Sequence, residues 1–389
     1  MKRCVSADGL GFTEGLDFVG GEASVAQDVI GVGTVRSRIR TSLRGPADVP
    51  DAFTVPTLDR TRSRPIGPSF RCHWQPSTIP AVIDFDVSAR VIADGLLFPE
   101  GPVPLADGSV LFVELARGTL SRAFDEGRVE VVADLGGSPN GAALGPDGRV
   151  YVCNNGGVKF VAHNGKLRPV GYLPEPAWID VVDLSTGHHE RLYDRCGEHT
   201  LRACNDLVFD AAGGFYFTDS GKTTATNVEH GGLYYALADG SSIRRVAAPL
   251  TTPNGVGLSP DGRTVYVSET ATARLWAWDV IGPGELRKLK QDDIPHGGRF
   301  IIGSAKFQRF DSLAVTASGN ILVATLTHGG ISEIWPDGTM MRHHPLPDGL
   351  VTNIAFGGDD LCTAYVTLAD SGRLVALDWH EPGLKLDFT

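Results

Sequence analysis

Glu100, Asn205, Asn254 and Asp311 each stand at or near the start of a segment of one recurring design. The segments are PEGPVPLADGSVLFVE, CNDLVFDAAGGFYFTD, PNGVGLSPDGRTVYVSE and FDSLAVTASGNILVAT. In each, an acid or amide precedes an apolar run, a glycine turn and a second run rich in β-branched and aromatic residues. Equivalent repeats place their first residues equivalently, so four hard oxygen donors are expected to converge on one axis. A shell of carboxylate and amide oxygens is what a calcium ion prefers. The chemistry to look for is therefore that of a divalent cation at a centre of repeats.

The elements that must position these residues follow from the turns. Glycine turns fall at Asp107-Gly108, Asp147-Gly148, Gly213-Gly214, Asp261-Gly262, Ser318-Gly319 and Gly357-Gly358. Alternating apolar residues flank them, as in Arg149–Cys153 and Thr264–Ser268, which is the period of a strand. Most are separated by roughly the 40–50 residues of a propeller blade. A wider gap between the second and third is read as an insertion around Lys166–Thr200. Helical periodicity is nearly absent after residue 88, which excludes a parallel α/β fold. The expectation is an all-β chain, a six-bladed β-propeller with a central metal site, over residues 86–389. Residues 1–85 lack the rhythm. Eight arginines between Val35 and Arg71, several prolines and few aromatics read as a poorly ordered leader, dispensable for catalysis.

A net charge of −11 argues against a nucleic-acid partner, which needs a basic face. The six cysteines show no CxxC pair and read as reduced side chains. Asp8, Glu14 and Asp17 interrupt any secretory signal, and no apolar stretch approaches a membrane span of roughly 18 residues. A cytoplasmic protein with no membrane partner is expected.

From about Ile92 to Phe388 the chain resembles the family of gluconolactonase, regucalcin (senescence marker protein) and luciferin-regenerating enzyme. The resemblance is carried by Phe98–Pro102, Pro139–Gly141, Asn205–Val208 leading to Phe217–Asp219, Pro253–Gly255, Val323–Thr325, Phe356–Gly358 and Tyr365–Thr367, in this order. It implies a six-bladed propeller holding one divalent cation, calcium first and zinc, magnesium or manganese as alternatives, and hydrolysis of a small-molecule sugar lactone. By the same resemblance Glu100, Asn254 and Asp311 match metal ligands, Asn205 matches an asparagine at the metal or the substrate, and Asn140 occupies the equivalent place of the second unit. An arginine that some members carry two residues before the third-unit asparagine is Ala203 here. Arg202, beside it, points to the other face of an extended strand.

Among the remaining residues, Asp206 should point away from Asn205, toward the channel floor or a blade contact. Asp219 and Lys222 fall at the channel rim and, with Asp206, Asn140 and Asn205, are candidate substrate contacts. His328 could line the opposite rim, Asn155 could reach substrate, and Glu114 and Glu269 read as solvated or salt-bridged. No GxSxG elbow or Cys–His pair presents itself, so a carboxylate must handle the proton or the acyl group, and Asp311 is the choice, as general base or as nucleophile. A non-catalytic calcium-binding scaffold, and a metal-free condensing propeller like strictosidine synthase, are the competing classes.

Overall fold

The structure, a computed structural model, describes Val82, Phe85 and residues 89–389 apart from 126, 225 and 291–293. The expected leader, residues 1–85, lies almost wholly outside the described residues. Its last residue is an exception: Phe85 is buried in a cluster with Leu322, Val351 and Trp379, so core packing begins just before the expected boundary.

Six antiparallel sheets are built one after another along the chain. Their innermost strands are Pro99–Pro104, Pro139–Leu144, Cys204–Phe209, Pro253–Leu258, Arg309–Val315 and Val351–Gly357. Each lies beside the next, and the sixth lies beside the first, which closes a ring of six blades. The glycine turns read from sequence join each innermost strand to the second, with Gly108, Gly148, Gly213, Gly262, Gly319 and Gly358 all at positive φ. Second strands such as Val110–Glu114 and Gly214–Asp219 are buried along their whole length, because each blade is covered on both faces by its neighbours. Tyr151 of the second blade meets Phe209 of the third edge-to-face, with ring centroids 5.0 Å apart. Such a pair contributes about 0.5–1.5 kcal/mol beyond its buried area.

The ring closes by hydrogen bonding: Arg90–Ala93, from before the first blade, pairs with Arg373–Asp378 as the outermost strand of the sixth. Closure leaves no long bare edge near the axis. The wide second unit is explained by a hairpin, Val158–His163 with Lys166–Tyr172, inserted between the second and third strands of blade two. The insertion thus falls earlier than the expected Lys166–Thr200, since Trp178–Val182 and His189–Tyr193 are the regular outer strands of that blade. No helix among the described residues is long and apolar enough to cross a membrane.

Candidate functional site

Every innermost strand slips register against its second strand near its start. The slips lie between Glu100 and Val103, Pro139 and Ala142, Cys204 and Leu207, Pro253 and Val256, Phe310 and Leu313, and Val351 and Asn353. A bulge sets two residues of one strand against one of its partner and re-aims their side chains. Hydroxyls of the neighbouring blade take up carbonyls at these bulges. Ser268 Oγ donates to the Asp311 carbonyl at 2.6 Å, Thr352 Oγ1 to that of Pro99 at 2.9 Å, and Thr218 Oγ1 to that of Asn254. The glycine after the amide in Asn140-Gly141 and Asn254-Gly255 permits this closeness. A Cβ on Gly141 would lie 2.5 Å from Asp206 Oδ1, and one on Gly255 would lie 2.6 Å from the Leu313 nitrogen.

Going round the ring, the bulges bring acids from blades one, three and five (Glu100, Asp206, Asp311) and amides from blades two, four and six (Asn140, Asn254, Asn353), with Asn205 added from blade three. All seven are buried. Glu100 Oε2 accepts from the Gly101 nitrogen at 2.7 Å and from Asn353 Nδ2 at 2.8 Å. Asn254 Nδ2 donates to Thr270 Oγ1 at 3.1 Å, and Ser312 Oγ donates to Asn254 Oδ1 at 3.3 Å. Asn140 Nδ2 donates to Asn155 Oδ1 at 3.2 Å, while Asn155 Nδ2 donates to the Cys204 carbonyl at 2.5 Å. Asn155 is thus a strut between blades two and three.

The electrostatics of the centre are lopsided. Burial, followed by the charges of Asp311 and Asp206, holds Glu100 well above the usual carboxylate range. Burial pushes Asp311 up to about 8 and Asp206 up to about 7. The opposing influences on Asp311 are the Arg309 guanidinium and a hydrogen bond from Asn254. Two amide oxygens, Asn140 Oδ1 and Asn205 Oδ1, are buried with no hydrogen-bond donor. A buried acceptor left unmatched costs about 1–3 kcal/mol. Carboxylates short of positive charge beside bare amide oxygens are an all-oxygen donor set that suits a hard divalent cation. By chemistry, then, the expected ligands fit the group. Among the described residues, the closest gathering of His, Cys, Asp or Glu ligand atoms, within 4.8 Å of one another, lies elsewhere, at Glu333, His380 and Glu381.

Above the centre, the inserted hairpin of blade two brings Tyr172 within the electrostatic reach of Asp219, Asp311 and Arg309. Lys222 holds the end of that hairpin, donating from Nζ to the carbonyls of Leu173 at 2.7 Å and Glu175 at 2.5 Å. Asp219, expected at the substrate, is committed to the backbone: Oδ2 accepts from Arg202 and Oδ1 from Ala203, both at 2.8 Å, and Oδ1 also from Gly221 at 3.0 Å. Its counterparts at the ends of the second strands of blades one, two and four act alike. Glu114 accepts from the Leu97 nitrogen, Asn154 from Ser138 and Glu269 from Thr251, each fixing the loop that leads into the central residue of its own blade. Glu114 and Glu269 are therefore buried loop clamps and not solvated rim acids; Glu114 additionally pairs with Arg117. Arg202 pairs with Glu229 at 2.9 Å. His328 is exposed on a rim loop of blade five.

Below the centre, Asp206 and Asn353 top an apolar channel lined by Val103, Leu144, Phe209 and Phe356 and crossed at its far end by Leu384–Thr389. The Leu384 nitrogen donates to the Val315 carbonyl, and Phe388 packs edge-to-face on Phe209. Asp206 thus stands toward the channel floor, one of the two places expected for it. Sequence reading missed Asn353, Tyr172 and Arg309. Asn353 had a signal: Val351–Phe356 is the sixth copy of the repeat and carries its amide one residue later than Asn254 does in the fourth.

A ring of six blades, five of four strands and the fourth of five, with buried acids and amides at the starts of its innermost strands, defines the class as a six-bladed β-propeller. Residues 98–370 match the family described as SMP-30/Gluconolactonase/LRE-like region, and the chain belongs to that family. It is 32% identical over 226 residues to lactonase drp35 of Staphylococcus saprophyticus, a match that covers 58% of this chain and 62% of that one. To a gluconolactonase of Zymomonas mobilis it is 23% identical over 289 residues, covering 67% and 73%. In fold it is similar to a gluconolactonase from Xanthomonas campestris (TM-score 0.59, 23% identity, 81% of this chain and 99% of that one). It is likewise similar to a calcium-binding regucalcin from Agrobacterium tumefaciens (TM-score 0.59, 19% identity, 77% and 98%).

Proposed function

We propose that this chain is a metal-dependent hydrolase that opens a sugar lactone to the aldonic acid. The observation that carries the reading is the buried centre, where Glu100, Asp206 and Asp311 converge with the donorless oxygens of Asn140 and Asn205. The proposed ligands are Glu100, Asn254 and Asp311, with Asn205 completing or bordering the shell. A divalent cation bound there, calcium in the first instance, would polarise the lactone carbonyl and stabilise the oxyanion that forms on it.

The chain's own groups supply the rest. Asp311 takes the proton of the attacking water, as a carboxylate beside the reacting carbonyl can. Arg309 and the hydrogen bond from Asn254 stabilise its charged form and keep it available. Asn140 and Asn205 orient the ring of the substrate, and Tyr172 on the inserted hairpin covers the mouth and limits the entry of water. Names of relatives support the reaction class, since the family's curated members matched here are a lactonase and a gluconolactonase.

The test is proton release from a panel of aldonolactones by the purified chain before and after EDTA treatment. Turnover that disappears with EDTA and returns with added calcium is the expected result. Undiminished turnover in a metal-free chain would overturn the metal dependence, and a calcium-binding chain that opens no lactone would favour a scaffold.

A further inference from the structure

The six repeats share a position two residues before the central residue, occupied by Phe98, Ser138, Ala203, Thr252, Arg309 and Val351. Five of these are apolar or small and uncharged. Blade five alone places a charge there, and places it exposed. Phe310, between Arg309 and Asp311, is fully buried in the core, while Arg309 is exposed at the start of the innermost strand Arg309–Val315 of blade five. Arg309 lies nearer the mouth, and its field reaches both Asp311 and Tyr172.

Other cations near the mouth are already used. Arg202 is paired with Glu229 at 2.9 Å and Lys222 is tied to two carbonyls. Among the described residues, no carboxylate lies at ion-pair distance from Arg309. In a chain of net charge −11, a guanidinium without an ion-pair partner at the mouth of an acid-lined centre is a directed feature. A guanidinium presents a planar fork that matches a carboxylate or phosphate with two parallel hydrogen bonds.

We propose that Arg309 is the specificity-determining residue of this site, and that it binds an oxyanion group carried by the substrate at the end remote from its lactone carbonyl. The substrate class is then an acidic sugar lactone with a pendant carboxylate or phosphate, and not a neutral one. The proposal rests on the lactonase reading for the nature of the ring, and on Arg309, Asp311 and Tyr172 for the second charge.

Binding decides it without turnover. Gluconate, glucarate and 6-phosphogluconate are titrated calorimetrically into the full calcium-loaded chain and into its Arg309→Met and Arg309→Lys variants. The wild-type chain should bind glucarate or 6-phosphogluconate at least tenfold more tightly than gluconate, and which of the two it prefers identifies the oxyanion. Arg309→Met should erase that preference and Arg309→Lys should keep part of it. Equal binding of all three acids by the wild-type chain, no binding of any, or a preference that survives in Arg309→Met would each overturn the proposal. A loss of gluconate affinity in Arg309→Met as large as that of glucarate or 6-phosphogluconate would also overturn it, because the residue would then be acting only through Asp311. The lactonase reading fails separately, by absence of hydrolysis, and the binding preference stands or falls regardless.

Discussion

Two buried acidic clusters in this protein have opposite electrostatics. At the outer side of blade five, Glu333 accepts from His344 Nε2 at 3.0 Å and Asn320 Nδ2 at 2.9 Å, with Arg342 at 3.6 Å and His380 at 3.5 Å. Burial alone would raise its pKa, but the histidine hydrogen bonds and charges outweigh burial and bring it down to about 2. At the axis Asp311 and Asp206 are also buried, and there burial wins and carries them to about 8 and about 7. The axial acids stand on innermost strands of three blades, whereas Glu333 lies on the third strand of blade five, Gly330–Ile334, and His344 and Arg342 on its fourth, Met341–Pro345. The difference is whether the compensating charge is part of the chain. Glu333 is neutralised from within and ties blade five to the C-terminal residues His380 and Glu381; the axis is left for a proton or a cation to neutralise.

The largest expected effect separates the two. Asp311→Asn keeps the shape and a carbonyl ligand but removes the base, so turnover should fall by about 10²–10⁴ at saturating calcium. Glu333→Gln should leave turnover within a few-fold and instead cost about 3–5 kcal/mol of stability in urea unfolding, the usual result of breaking a buried charge pair. Equal losses of turnover in the two variants would erase the distinction.

A second prediction uses pH. The central acids bind their protons more tightly folded than unfolded, since their folded pKa values lie above the ordinary 3.8. Without metal, their contribution to stability is therefore greatest in acid and is lost as pH rises through about 7 and 8. Glu333 has the opposite sign: its contribution is present above about 4.5 and lost as pH falls toward about 2. Between pH 5.5 and 8.5 the centre dominates. EDTA should accordingly lower the melting temperature more at pH 8.5 than at pH 5.5, and Asp311→Asn should shrink that difference. A chelator effect independent of pH would place the cation elsewhere.

The smallest effect concerns Asp219, which resembles the centre in sequence and Glu333 in use. Asp219→Ala strands three backbone N–H groups and should cost about 1–3 kcal/mol of stability. KM for the lactone should stay near the wild-type value. A rise in KM with unchanged stability would return Asp219 to the substrate.

Much of this architecture was legible before any coordinates. The glycine turns and period-2 runs locate the first two strands of each blade, because a tight turn needs positive φ and a buried strand needs apolar side chains. Asn205, Asn254 and Asp311 fall at matching places of the repeat, and all three are buried at the starts of innermost strands. The fate of Asp219 was not legible, because an acid closing a strand reads the same whether it faces solvent, substrate or three backbone nitrogens. Nor was the extent of the blade-two insertion, since the hairpin Val158–Tyr172 has the same alternating signal as the blade around it.

By itself the sequence determined the number of blades, the turns, and the oxygen donors offered by the repeats, all of them properties of neighbouring residues. The tertiary structure decided what the donors face. Bulges take consecutive residues, Asn205 and Asp206, out of the strict alternation of a strand. Ring closure sets Asn353 on Glu100 across a separation of 253 residues, and an inserted hairpin brings Tyr172 within the electrostatic reach of an aspartate of blade five. Whether a buried carboxylate is a structural anchor or a chemical group depends on the charges that such long-range contacts bring within a few ångströms of it. That proximity is fixed by the closure of the ring and not by the order of residues along the chain.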